Sequence, residues 1–137
     1  MKIFALTNGD PGCASTLYRL LQFRPLLAEA GIEFAYARAA TFTDYPSLAA
    51  ADVVVLQKIL LAPERMHLIR EHSRRLVYDI DDTIWHSPSG QPHAWITRQS
   101  KLQQLRATAE LCDLCIAANY IIANDLDDAG ARRIRVL

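Results

Sequence analysis

The chain has 137 residues, with 15 basic and 15 acidic side chains; hydrophobic residues make up 51% and charged residues 22%. That length suits one domain with its own core, and the even charge balance excludes the basic footprint of a nucleic-acid binder. No apolar run approaches the roughly 18 residues of a membrane span, and three cysteines, an odd number, argue against a disulfide framework.

The first element is Lys2–Thr7, KIFALT. Its apolar part, Ile3 to Leu6, is too short for a secretory signal core, and no small-residue cleavage site follows. It reads as a strand, and the expected compartment is the cytoplasm. Asn8-Gly9-Asp10-Pro11-Gly12 stops it with turn residues. Leu17, Leu20, Leu21, Leu27 and Ala28 then recur at helical spacing, with Ser15 as the expected N-cap and Gly31 as the C-cap glycine. Glu33–Tyr36 is a short second strand, and Asp52–Leu56, rich in β-branched residues, is a third.

Pro63 opens a helix at its first turn, where a missing N–H does no harm. Glu64 early and Arg74 and Arg75 late suit its dipole. Leu76–Ile80 is the fourth strand. The prolines, glycine and small polar residues of Trp85 to Ala94 predict a loop. Leu102, Leu105, Ala109 and Cys112 mark one helical face, Leu114–Ala118 a fifth strand, Tyr120–Ala129 a helix closed by Gly130, and Ile134–Leu137 a sixth strand. Cys112 and Cys115 fit C-x-x-C, but no second pair completes a zinc site, so they read as small buried hydrophobes.

Strands apolar on both faces, alternating with helices, predict an α/β fold: a doubly wound parallel sheet, Rossmann-like, of about six strands. The expected order is 3-2-1-4-5-6 with helices on both faces, in one domain spanning 1–137. In such sheets ligands sit beyond the carboxyl ends of the strands, near the switch point, expected here between strands 1 and 4. Two loops emerge there, Asn8–Ser15 and the stretch beginning at Asp79. The first matches neither G-x-G-x-x-G nor the P-loop pattern, which argues against bound nicotinamide or a P-loop nucleotide. The second carries Asp79, Asp81 and Asp82. If the strand persists, Asp79 and Asp81 share one side and Asp82 faces away. Two close carboxylates repel, so one is expected to hold a proton more tightly than usual. Such a pair binds a divalent metal, serves as acid and base, or orients sugar hydroxyls. The plainer reading is that some of the three cap helices or start turns. His86 and His93 flank the loop without a predicted metal geometry. Arg19 on the first helix reaches either the cleft or solvent, and Arg132, Arg133 and Arg135 read as a solvated edge.

Asp79-Ile80-Asp81-Asp82-Thr83 resembles the first motif of the haloacid dehalogenase-like phosphatases. Carried over, Asp79 is the phosphoryl nucleophile and Asp81 the acid that protonates the leaving group, with magnesium required. The surroundings depart from that family, because three strands precede the motif and Lys101 is the only lysine after it. A receiver domain, a binding module of similar length, needs an Asp and a Lys where this chain has Leu56-Gln57 and Ala118-Asn119.

Four stretches, STLYRLLQFRPLLAEAGI (Ser15–Ile32), ADVVVLQK, RLVYDIDDTIW and AELCDLCIAANYIIANDLDDAGARRIRVL, follow one another in an order and spacing that cover nearly the whole chain. In these the chain resembles the N-terminal domain of GT-B fold glycosyltransferases of group 1 (family 4-like). The resemblance implies transfer of a sugar from a nucleotide-sugar donor to a sugar, lipid or glycan acceptor. It implies no other cofactor and no metal. The acceptor side lies in this domain, and the donor is held mainly by a second, C-terminal Rossmann-like domain. It puts Asp81 and Asp82 where many members have a catalytic His-Asp pair, Gly12 near the donor phosphates and Asn119 near the cleft floor. Ser15, Arg19 and Asp79 complete the expected substrate-binding set. The family's E-x7-E donor signature does not occur in this sequence, so the chain alone is expected to be nearly inactive. A non-catalytic Rossmann-like binding domain is the remaining alternative.

Overall fold

The computed structural model describes residues 1–86 and 94–137. Its six strands are β1 (Lys2–Thr7), β2 (Glu33–Arg38), β3 (Val53–Gln57), β4 (Leu76–Ile80), β5 (Leu114–Ala117) and β6 (Ile134–Val136), all parallel. Five α-helices join them: α1 (Ala14–Arg19), α2 (Arg24–Glu29), α3 (Pro63–His72), α4 (Ala94–Leu111) and α5 (Tyr120–Asp128). The α/β, Rossmann-like architecture expected from the sequence is present. Among the described residues no helix is long and apolar enough to cross a membrane.

The strand order is 2-1-3-4-5-6, not 3-2-1-4-5-6. The difference follows from composition. In a parallel sheet the inner strands are buried on both faces and so are apolar throughout. β3, VVVLQ, is such a strand, whereas β2, EFAYAR, carries charges at both ends and exposes alternate residues. β2 therefore takes the edge, with Glu33 paired to Lys2 at 3.3 Å, and β3 lies between β1 and β4. The chain leaves β1 for one side and returns to the other, so the switch point lies between β1 and β3 and not between the first and fourth strands, because β3 is inserted between them.

The two faces of the sheet differ. Leu6, Val54, Leu56, Leu76, Tyr78, Ile80, Cys115 and Ala117 form one face and are fully buried. They pack with Met66 and Ile69 of α3, Leu105 and Ala109 of α4, and Ile122 and Leu126 of α5. Thr7, Gln57 and Asp79 lie on the other face at the strand ends, while Val55, Val77 and Ile116 behind them are only partly buried. α1 and α2 cover this side, and each has only six residues. The single helix expected over this stretch is broken into these two, because Pro25 restarts the chain at the first turn of α2. Gly31, at φ 69°, ends α2, and Gly130, at φ 93°, ends α5, both in the left-handed region that favours glycine.

Trp85, expected in a loop, is buried. Its indole Nε1 donates to Asp125 Oδ2 on α5 at 2.8 Å. The rest of the expected loop, with His93, lies outside the described residues. His86 Nε2 lies 3.5 Å from the same Asp125 carboxylate.

Candidate functional site

β4 carries the acidic run to the carboxyl edge of the sheet and ends at Ile80, so Asp79 is still in the strand while Asp81 and Asp82 lie in the bend beyond it. Asp79 sits beside Gln57 in the sheet register and faces α1. Arg19 of α1 grips it with two hydrogen bonds, Nε to Oδ2 at 3.0 Å and Nη2 to Oδ1. A planar guanidinium meets a carboxylate well in this two-pronged way. The hydrogen bond to Asp79 raises the Arg19 pKa above its ordinary value, although burial opposes it. Of the two directions open to Arg19, the cleft is the one taken.

Asp81 is held differently. Ser15 Oγ donates to its Oδ2 at 3.0 Å, and Lys58 Nζ lies 3.2 Å from its Oδ1. Lys58 also donates to Ser15 Oγ at 3.3 Å and stands 3.6 Å from Asp82 Oδ2. The repulsion expected among the three carboxylates is thus met by two cations, Arg19 for Asp79 and Lys58 for Asp81 and Asp82. At 3.2 Å the lysine attracts Asp81 Oδ1 but is not aligned to hydrogen-bond it, so this buried oxygen has no hydrogen-bond partner among the described residues. Gln57, next to Asp79 in the sheet register and fully buried, accepts from Thr16 Oγ1 at 3.3 Å and leaves its Nε2 without an acceptor among the described residues. Asp82 does in part what a turn aspartate does: its Oδ1 accepts from the Thr83 N–H at 2.8 Å. Its side chain is 66% exposed, which leaves it open to solvent and ligand.

On the plainer of the two readings of its loop Ser15 caps the first helix, but Cys13 holds the N-cap position, with no side-chain cap bond. Ser15 falls within the first turn, and its hydroxyl turns to Asp81 instead. The Cys13 thiol has a lowered pKa, chiefly because the backbone of Thr16 hydrogen-bonds its sulfur. Gly12 is exposed, and its N–H is taken by Asp10 Oδ1 at 3.0 Å. The glycine that close packing demands is Gly9, where a Cβ would lie 2.5 Å from that of Cys13. Asn119 stands after β5 at the same edge of the sheet, but its Oδ1 is committed to capping α5, accepting from the Ile122 N–H at 3.0 Å.

Sequence reasoning missed Lys58 and Gln57. Both follow from the strand order, because placing β3 next to β1 brings its end to the switch point. Lys58 is also the one non-glycine residue with positive φ, 51°, among the described residues. Its N–H donates to Asp79 O at 2.8 Å, and Asn8 N–H donates to Gln57 O at 3.2 Å, which pins this bend between β1 and β4. Backbone strain of this kind persists where surrounding contacts fix it, and it concentrates at functional sites.

Among the described residues no three His, Cys, Asp or Glu side chains are grouped to hold a metal ion. Both oxygens of Asp79 are directed at Arg19 and those of Asp81 at Ser15 and Lys58, so the acidic run does not fit a magnesium ion as it stands. The arrangement is instead a set of three carboxylates, Asp79 buried and Asp82 exposed, each paired with Arg19 or Lys58. No protein-family model matches the chain, and no curated protein matches it.

Proposed function

We propose that the chain is the N-terminal, acceptor-side domain of a GT-B glycosyltransferase, with Asp81 as the group that receives the acceptor's attacking hydroxyl. The observation that carries this reading is the Asp81 carboxylate at the switch-point edge, whose Oδ1 is paired with the Lys58 ammonium at 3.2 Å but accepts no aligned hydrogen bond among the described residues. A ligand donor aligned on that oxygen adds a charge-assisted hydrogen bond, worth roughly 1.5–3 kcal/mol, that the ion pair alone does not make. A sugar hydroxyl supplies that donor. In transfer, Asp81 accepts the hydroxyl's hydrogen bond and takes up its proton as the new glycosidic bond forms. The leaving nucleotide departs with the bonding electron pair, held by the donor domain. Asp82, exposed beside it, contacts a neighbouring ring hydroxyl. Lys58 and Ser15 fix the Asp81 carboxylate, and Arg19 neutralises Asp79 behind them.

The phosphatase alternative has less support, because an Asp79 gripped through both oxygens by Arg19 is poorly disposed to attack phosphorus. Saturation-transfer NMR on the chain with methyl hexosides and a nucleotide hexose tests the proposal. Hexoside signals are expected for the native chain and lost in Asp81→Ala. Magnesium-dependent hydrolysis of p-nitrophenyl phosphate, abolished by Asp79→Asn, would replace this reading with the phosphatase.

A further inference from the structure

A second feature opens on the other side of Lys58: a cavity of about 370 Å³ between the ends of β1 and β3 and the side of α4. Its volume falls within the range of small-molecule sites, which combine an apolar lining with a few placed polar groups. Its lining includes the apolar Ile59, Leu60, Leu61 and Ile84 and, as polar groups, Asn8, Gln104 and two lysines, Lys58 and Lys101. No carboxylate among the described residues lines it. Lys58 spends its ammonium on Asp81 and Asp82, but Lys101, half-buried on α4, has no acidic partner among the described residues. A lysine beside apolar side chains, with no acidic partner among the described residues, has its positive charge available to pair with an anion.

We propose that this cavity binds a small amphiphilic anion, with its apolar body on Ile59–Leu61 and Ile84 and its phosphate or carboxylate on Lys101. The apolar floor rejects a bare anion and the lysine rejects a neutral alkane, so both halves of the ligand are specified. Lys58 is shared, its stem lining the cavity and its ammonium holding Asp81. The ligand's far end therefore lies next to the carboxylates. Combined with the sugar-transfer reading, on which this last step rests, the ligand is the acceptor: an acidic amphiphile presenting a hydroxyl to Asp81.

Calorimetry on the chain with hexyl phosphate, hexanoate, hexanol and inorganic phosphate tests the proposal. One of the two amphiphilic anions is expected to bind more tightly than hexanol and inorganic phosphate. The better of the two identifies a phosphorylated or a carboxylated ligand. Lys101→Gln should weaken that binding by about tenfold, the worth of one charge-assisted contact, while Lys101→Arg retains most of it. Equal binding of hexyl phosphate and hexanol, inorganic phosphate binding as tightly as its hexyl ester, no binding at all, or a Lys101→Gln variant that binds normally would each overturn it. Asp81→Ala separates the two readings. If hexyl phosphate binds both the native and this variant chain while no hexoside binds the native chain, the cavity stands and the sugar-transfer assignment falls.

Discussion

Replacing Lys58 separates two roles that the structure gives one residue, a strained backbone and a charged side chain. Its φ of 51° costs an L-amino acid about 1–2 kcal/mol relative to glycine, and glycine's extra freedom in the unfolded chain returns about 0.5–1 kcal/mol of that. Lys58→Gly should therefore exceed Lys58→Ala in stability by roughly 0.5–1 kcal/mol, although both lose the same ammonium. The side chains of Lys58 and Asp81 are 19% and 24% exposed, between an exposed ion pair worth under about 1 kcal/mol and a buried one whose rupture costs about 3–5 kcal/mol. Discounted for solvent screening, loss of the ammonium should cost about 2 kcal/mol. Alanine thus falls about 2 kcal/mol below the native chain and glycine only about 1 kcal/mol below it. Urea denaturation followed by circular dichroism, with the slope checked for constancy, reads both differences. In an Asp81→Asn background the glycine advantage should persist while the cost of losing the ammonium shrinks, because the two effects have separate origins. An alanine variant as stable as the glycine variant would refute the backbone argument, and unchanged stability in both would refute the ion-pair argument.

Gly9→Ala should lose about 1–3 kcal/mol, because its new Cβ would sit 2.5 Å from Cys13 Cβ; Gly12→Ala, meeting only Asp10 Oδ1 at 3.3 Å on an exposed turn, should change the urea midpoint little. Tyr78→Phe should stabilise the chain by about 1 kcal/mol, because the hydroxyl it removes is fully buried with no hydrogen-bond partner among the described residues; a clear loss of stability in a melt would show that the hydroxyl is satisfied. Native alkylation by iodoacetamide should modify Cys13 alone, since Cys112 is pushed well up by burial and Cys115 up to about 12. Its rate should rise with pH to a midpoint below that of an ordinary thiol, because the contacts to Thr16 favour the thiolate; peptide mass mapping across a pH series checks both statements.

The strands were legible because each is a short apolar run ended by turn or charged residues, and Leu76–Ile80 falls where its pattern places it. Their order was not, since periodicity reports which segments are strands and says little about which are neighbours. The usable signal was composition: VVVLQ belongs inside a parallel sheet and EFAYAR at its edge. The break at Pro25 and the burial of Trp85 had different sources. Pro25 announced itself as a helix start, but leucines on either side kept one period and masked it. Trp85 is buried because Asp125, forty residues on, meets its indole N–H, and no local pattern carries a contact of that separation.

At the site, Asp79, Asp81, Ser15 and Arg19 could be placed together, because the ends of parallel strands converge by construction and acidic residues after an apolar strand have few structural uses. Lys58 was invisible, since a lysine after an apolar run looks like the solvated end of a strand. Only the sheet order reveals that it stands between two carboxylates and a serine, and only the backbone reveals its strain. Its position also explains how the acidic run is tolerated at all. Three carboxylates against two cations leave one negative charge in excess, and bidentate pairing spends one of those cations entirely on Asp79. The excess falls on Asp81 and Asp82, the pair nearest solvent, where Lys58 attracts both and fully satisfies neither. A pair of carboxylates held in place yet short of donors is suited to a ligand that brings donors without bringing charge, which is the chemistry of a sugar hydroxyl and not of a phosphate ester.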